Sequence, residues 1–226
     1  MRILIFDTET TGLPSSRIIN SDTLHLWPHI VQLSYIIYET DLNDIVEAYD
    51  YIIKTKEEIN IPEDSIKFHG ITNEISQSKG NNLNKVLQEF FINLQNIDVL
   101  VGHNVSFDIN MIKVELLRII YSSNETKTYK YNLHLLTNFK NICCTLRESI
   151  SICNIQSFTK TGKSFLKYPK LIELHQKLFE STPNHLHNSF NDILITLRCY
   201  MMLKHNIDLN ETCETFKSYI ESSDIL

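Results

Sequence analysis

The chain has 226 residues, 42% of them apolar, and a formal charge of -6, enough to fill one substantial core without a metal or disulfide staple. Five cysteines, with Cys143 and Cys144 adjacent and no Cys-x-x-Cys pair, argue against a disulfide framework and a four-thiolate zinc site; they read as reduced, mostly buried thiols of an intracellular protein. Two acids follow the first apolar residues too soon for a signal peptide, and no apolar run approaches membrane-spanning length.

In chain order, residues 2–6 predict a first strand, 29–38 a second and 49–53 a third, so the chain opens as a small meander. The first strand ends in Asp7 and Glu9. Alternate side chains of an extended strand share a face, which sends both carboxylates toward one volume. Two like charges buried side by side are costly unless a divalent cation supplies opposite charge and coordination. Oxygen ligands without nearby thiols favour magnesium or manganese over zinc.

Pro62 is pre-set for the first turn of a short helix that Gly70 stops, and Thr72 or Asn73 can cap a brief helical turn. Leu83, Val86, Leu87, Phe90 and Phe91 then recur at helical spacing. Val99, Leu100 and Val101 before Gly102 predict a central strand that ends at a site. Ser106 is the expected cap of the next helix, with Ile109, Ile112, Leu116 and Ile119 as its buried stripe and Asp108 in its first turn. A polar, tyrosine-bearing stretch from 121 reads as a loop insertion around 121–141, in which Tyr129 and Tyr131 either stack a base or form a local apolar patch. Residues 143–146 return as a strand. Leu171, Leu174, Leu178 and Phe179 mark another helix, and Ile193, Leu197, Cys199 and Met201 line a last long one. Strands alternating with helices after a meander imply an α/β sandwich. The final residues, 204–226, form a mildly acidic extension, docked or flexible.

Charge is unevenly spread. Residues 127–170 hold eight basic residues against Glu148 alone, a net +7 that leaves -13 for the remainder. That asymmetry suits a protein that admits phosphate from one side, if the lysines converge; lysine-rich loops with no common face are the other reading.

Beyond Asp7 and Glu9, two further acids stand in distinctive contexts: Asp108 in His103-Asn104-Val105-Ser106-Phe107-Asp108, and Asp192 in His187-Asn188-Ser189-Phe190-Asn191-Asp192. With Phe6-Asp7-Thr8-Glu9-Thr10-Thr11-Gly12-Leu13, these segments resemble the DEDDh family of 3′–5′ exonucleases, the group that includes proofreading subunits of bacterial replicative polymerases. Further similarity lies at Ile30-Val31-Gln32-Leu33, Phe68-His69-Gly70-Ile71-Thr72, Thr145-Leu146 and Lys170-Leu171-Ile172-Glu173-Leu174, so the likeness spans roughly residues 2–203. It implies an exonuclease domain over 1–203 with an RNase H-like fold, a mixed sheet of about five strands with helices on both faces.

By that resemblance Asp7, Glu9, Asp108 and Asp192 would hold two Mg²⁺ ions, with Mn²⁺ as substitute, and His187 would be the general base. An imidazole titrates near neutrality and suits that task. Thr10, Thr11, Gly12 and Leu13 would edge the substrate, Leu13 against the terminal base, with His103, Asn104 and Phe107 beside it and His69 as a packing and turn residue. His187 precedes Asp192 by five residues, about 140° around one helix, so the expectation puts His187 on the approach loop and Asp192 inside a helix capped by Asn188 or Ser189. The family commonly carries Ala where Ser189 stands. The implied activity is release of nucleoside 5′-monophosphates from single-stranded or frayed 3′ ends of DNA, in repair or as the partner of a DNA polymerase. RNA or short oligoribonucleotides are the alternative substrate, and an inactive nuclease-fold binding module the alternative class.

Overall fold

The computed structural model describes residues 1–124 and 126–226. The chain opens with β1 (Arg2–Thr10), β2 (Ile30–Glu39) and β3 (Asp44–Ile52), followed by α1 (Glu63–His69), α2 (Asn73–Lys79) and α3 (Leu83–Leu94). Next come β4 (Val99–Gly102), α4 (Val105–Ser122), α5 (Lys127–Thr137), β5 (Ile142–Cys144), α6 (Thr145–Glu148) and α7 (Ile150–Cys153). A small hairpin, β6 (Gln156–Phe158) and β7 (Ser164–Leu166), leads to α8 (Leu171–Phe179), α9 (Ser189–His205), α10 (Leu209–Thr212) and α11 (Glu214–Ser222).

Five strands form one mixed sheet in the order β3-β2-β1-β4-β5. The meander β1-β2-β3 is antiparallel, whereas β4 and β5 run parallel to β1 after helical crossovers. Alternation along β1 divides the core in two. Leu4 and Phe6 pack with Phe90, Ile109, Met111, Ile112 and Leu116 from α3 and α4. Ile3 and Ile5 pack on the other face with Leu174, Ile193, Leu194 and Leu197 from α8 and α9. A mixed five-stranded sheet covered on both faces is the architecture expected of an RNase H-like exonuclease. Among the described residues no helix is long and apolar enough to cross a membrane, and all five cysteines are free.

Several local expectations are corrected. β1 continues through Asp7 and Glu9 to Thr10, because pairing with β2 carries it past the end of its apolar run. The stretch read as a loop insertion around 121–141 contains α5; residue 125 lies outside the described residues. Tyr129, Leu133 and Leu136 follow helical spacing and pack against the α3–α4 side of the core, but intervening polar residues hid the stripe. Tyr129 is therefore partly buried, while Tyr131 is exposed. Helix α4 begins at Val105, and its N-cap is Asn104 in the left-handed region rather than Ser106. The strand expected over 143–146 ends at Cys144, and Thr145 opens α6.

The acidic tail packs down. Leu209, Cys213, Phe216, Ile220 and Ile225 are buried in the α8–α9 side of the core. Arg198 of α9 is held by two 2.7 Å bonds to Asp208, stacks 3.9 Å over the Phe179 ring and donates to His175 Nε2 at 2.9 Å. His175 Nδ1 donates to the Ser181 carbonyl at 2.9 Å. Burial pushes the His175 imidazole down to about 4, so it stays a neutral acceptor for the guanidinium.

Candidate active site

Asp7 and Glu9 project from the β1 face that carries Ile3 and Ile5, toward α9. There they meet Asp192, which lies one turn into that helix. One carboxylate oxygen from each of Asp7, Glu9 and Asp192 lies within 4.8 Å of the others. Asp108 approaches from the opposite side. Thr8 points to the α4 side of β1, and its backbone N–H (3.0 Å) and hydroxyl (2.7 Å) both donate to Asp108 Oδ1. Asp108 is only 2% exposed. The two helices, one on each face of the sheet, thus bring acids about 100 and 185 positions downstream to the end of one strand.

Electrostatics set this cluster apart. Burial first, then the charges of Asp108, Asp192 and Glu9, hold the Asp7 carboxyl well above its ordinary range. Burial and the same neighbouring acids push Glu9 up to about 8. Asp108 and Asp192 rise to about 7, chiefly through burial, with the Thr8 donors pulling Asp108 the other way. Among the described residues no Lys or Arg pairs with any of the four. Four acids crowded together without a cationic partner fit a divalent ion: it supplies the missing charge, and three converging carboxylates supply hard oxygen ligands. Asp7, Glu9 and Asp192 can coordinate such an ion.

The start of α9 is anchored by polar residues of the sheet. The Asn188 side chain caps the helix through the Phe190 and Asn191 N–H groups. Ser189 is fully buried; its N–H donates to Gln32 Oε1 at 3.3 Å and its hydroxyl contacts that of Ser34. Gln32 and Ser34 each donate to Asp50 Oδ1 at 2.7 Å. Where the family commonly has Ala, Ser189 extends this chain of hydrogen bonds to the turn that carries His187 and Asp192.

His187 lies on the approach loop at φ 73°, and its N–H donates to Asp192 Oδ1 at 3.3 Å. Its ring meets the edge of the exposed Phe68 ring, with centroids 5.7 Å apart. The imidazole thus sits at the rim, outside the three-acid cluster. His69, next to Phe68, is buried; its Nδ1 accepts from the Ile71 N–H at 3.0 Å. Beside the His187 loop and Phe68 opens a depression of about 710 Å³. A separate cavity of about 780 Å³ is lined by residues that include Arg118 and Glu115, and by none of the four acids.

The remaining expected residues fall around β1 and β4. The Thr10 hydroxyl donates to the Gly12 carbonyl at 2.7 Å, and Thr11 Oγ1 accepts from the His29 N–H at 2.9 Å. These bonds shape a turn that leaves Leu13 84% exposed. Gly12 takes φ 147°, a conformation that side chains disfavour. His103 is wedged between two elements. The Pro169 carbonyl can only accept, so Nε2 donates to it at 3.1 Å while Nδ1 accepts from the Thr145 hydroxyl at 3.0 Å. Burial lowers its pKa to about 4, keeping it neutral. Phe107 packs against the α3–α4 core.

Thr8, Phe68, Gln32, Ser34 and Asp50 were not singled out individually from the sequence. Only Thr8 carried a usable signal there: it sits between the two acids, on the opposite face of the strand.

The exonuclease family RNase_T matches residues 4–200. The chain belongs to that family. Within that family it is of the DEDDh type. The DNA polymerase III subunit epsilon of Buchnera aphidicola subsp. Acyrthosiphon pisum (strain APS) is 32% identical over 119 residues, covering 51% of this chain and 44% of that protein. Among solved structures, E. coli Exonuclease I in complex with a dT13 oligonucleotide superposes with a TM-score of 0.60 at 14% identity, covering 97% of this chain and 43% of that one. A moderately thermophilic Exonuclease I from Methylocaldum szegediense gives 0.60 at 14%, covering 93% and 42%. These structural likenesses establish the fold. The chain spans less than half the length of these relatives.

Proposed function

We propose that this protein is a metal-dependent 3′–5′ exonuclease that releases nucleoside 5′-monophosphates from single-stranded or frayed 3′ ends of DNA. The observation that carries the proposal is the convergence of Asp7, Glu9 and Asp192 within 4.8 Å, backed by Asp108. Two Mg²⁺ ions, or Mn²⁺ in their place, would supply a lower pKa for the attacking water and neutralise charge on the phosphate. Asp7, Glu9 and Asp192 would hold them, with Asp108 steadied by Thr8 as the outer ligand.

The chain's own groups do the rest. His187 takes a proton from the attacking water, whose oxygen forms a new bond to phosphorus. The bond from phosphorus to O3′ of the preceding nucleotide breaks, and that oxygen takes a proton from solvent to become the new 3′ hydroxyl. Because His187 rests against Phe68 at the rim, it swings inward as the terminal nucleotide enters. The turn of Thr10, Thr11 and Gly12 presents backbone to that nucleotide, and exposed Leu13 packs on its base. His103 and Asn104 shape the floor beside Asp108, with Phe107 behind them.

DNA is the substrate by likeness to the replicative epsilon subunit and to an Exonuclease I complexed with dT13, and a DNA polymerase is the partner that the first likeness suggests. Five free thiols fit an intracellular setting. The test is a time-resolved digestion of matched 3′-labelled and 5′-labelled DNA and RNA with magnesium, manganese or chelator. Mononucleotide released first from the 3′-labelled DNA, and only with metal, is the expected result. Internal cuts, or release in chelator, would refute the proposal.

A further inference from the structure

Between Glu148 and Glu173 the chain carries no acid, and in this stretch lie the hairpin β6–β7 and Lys160, Lys163, Lys167 and Lys170. The strands pair Gln156 with Leu166, Ser157 with Phe165 and Phe158 with Ser164. The Thr159 N–H donates to the Lys163 carbonyl and the Gly162 N–H to the Thr159 carbonyl, both at 2.9 Å, with Gly162 at φ 82°. Residues facing each other across an antiparallel pair share a face, so Phe158 and Leu166 take one side and Phe165 the other. Neither side is covered: Phe158 is 66% exposed, Phe165 46% and, just past the hairpin, Tyr168 61%. A two-stranded hairpin has little stability of its own, and clustered apolar groups in water point to a partner.

The hairpin is tied to β4, the strand beside the one that carries the acids. The Lys167 N–H donates to the Ile155 carbonyl at 3.0 Å, closing its base, and Lys167 Nζ pairs with Glu173 at 2.6 Å. Two residues on, the Pro169 carbonyl takes the His103 bond. His103 follows Gly102, the last residue of β4, and β4 lies beside β1 with Val101 level with Ile5. His103 is therefore at the end of the strand next to the one that carries Asp7 and Glu9, and its side chain links the root of the hairpin to that end of the sheet. Lys160 and Lys163, toward the tip, form no ion pair among the described residues.

We infer that this hairpin grips the single-stranded nucleic acid upstream of the nucleotide being removed, with bases stacked on Phe158, Phe165 and Tyr168 and phosphates against Lys160 and Lys163. The inference rests on the exonuclease reading and deepens it. Nucleic acid fits better than protein because interfaces between proteins are depleted of lysine, whereas single-strand grooves combine cations with aromatic platforms. Elsewhere the chain is net acidic and repels phosphate. Five residues separate Ile155 from Lys160, a reach of about 17 Å at ~3.4 Å per residue, or about five stacked nucleotides at ~3.4 Å each. A substrate of one nucleotide never meets the tip.

Two double variants test this, Phe158→Ala with Phe165→Ala and Lys160→Gln with Lys163→Gln. Binding of 5′-fluorescein-dT15 is read by anisotropy in chelator across about 50–200 mM NaCl, the salt range over which phosphate contacts show, in an Asp7→Asn background that prevents digestion. The aromatic pair is expected to weaken binding by at least about 10-fold. The lysine pair is expected to reduce the magnitude of the log-affinity against log-salt slope by about 1.4, at ~0.7 per phosphate contact. With Asp7 restored and magnesium present, the ratio of kcat/KM on dT15 to that on the p-nitrophenyl ester of thymidine 5′-monophosphate is expected to fall by about tenfold in each variant. Unchanged affinity and slope overturn the inference and assign the hairpin to a protein surface. An equal loss on dT15 and on the ester also overturns it, because the hairpin would then be propping up the active site. If the parent protein binds dT15 through the hairpin yet hydrolyses neither substrate, the grip stands and the exonuclease reading falls.

Discussion

Magnesium should stabilise this protein far more at pH 8.5 than at pH 6. Burial and neighbouring acids raise Glu9 to about 8 from an ordinary 4.5, a differential of about 5 kcal/mol at ~1.36 kcal/mol per unit. A group whose folded pKa lies above its unfolded value contributes stability that is full below the unfolded value and lost as pH rises through the folded one. In chelator the cluster therefore destabilises the fold as pH climbs from about 4.5 through 8. A divalent ion reverses that loss, but only the ionised carboxylate binds it, so at pH 6 the ion must displace a proton. Two units below the titration of Glu9, displacement of that proton alone costs about 100-fold in apparent affinity, and the raised Asp7 and Asp192 carboxyls add to the cost.

Magnesium present at about 100 times its dissociation constant at pH 8.5 stabilises by about 2.7 kcal/mol, or about 5–11 °C at ~2–4 °C per kcal/mol for a chain of this size. The same concentration at pH 6 is at or below the apparent dissociation constant and gives at most about 0.4 kcal/mol, roughly 1–2 °C. The assay is thermal unfolding with and without magnesium at each pH. Taking the difference cancels the opposite pH dependence of His103 and His175, whose depressed pKa values remove stability as pH falls. Asp7→Asn should abolish the increment. An increment equal at both pH values, or surviving in that variant, would refute the assignment of the cluster as a metal site.

His187→Ala should lower kcat by about 10²–10⁴-fold while keeping the magnesium-induced rise in Tm; an unchanged pH–rate profile would rule it out as the base. Thr8→Val keeps the shape of the strand but removes the 2.7 Å hydroxyl bond to Asp108, and should cost about 1–3 kcal/mol in urea unfolding together with a drop in turnover. Asp208→Ala strips the buried Arg198 of its two bonds and should destabilise by about 3–5 kcal/mol, measured by the urea midpoint, with no change in KM for a mononucleotide ester.

The sequence alone placed Asp7 and Glu9 on one face of a strand, because side-chain alternation is a local property that an apolar run of Ile3, Leu4, Ile5 and Phe6 makes readable. It also marked Val99 to Gly102 as a strand ending at a site, the α9 stripe of Ile193, Leu197 and Met201, and the helix stopped by Gly70, whose cue was glycine's tolerance of φ 73°. Helix α5 escaped because only Tyr129, Leu133 and Leu136 face the core, a stripe too sparse to stand out from polar neighbours. Other features depended on contacts between residues 100 or more positions apart, which no local pattern encodes. Asp192 reaches Asp7 and Glu9 because α9 lies on the Ile3–Ile5 face of the sheet. Asp108 reaches the same strand end from the Leu4–Phe6 face because α4 packs there, and Thr8 holds it with two donors. Ser189, a departure from the family pattern on paper, became part of the Gln32, Ser34 and Asp50 chain only once α9 was packed on β2. The tail after His205 carries acids and scattered apolar residues in either state. Folding buries it, because Phe216, Ile220 and Ile225 find a surface that α9 and the sheet create together.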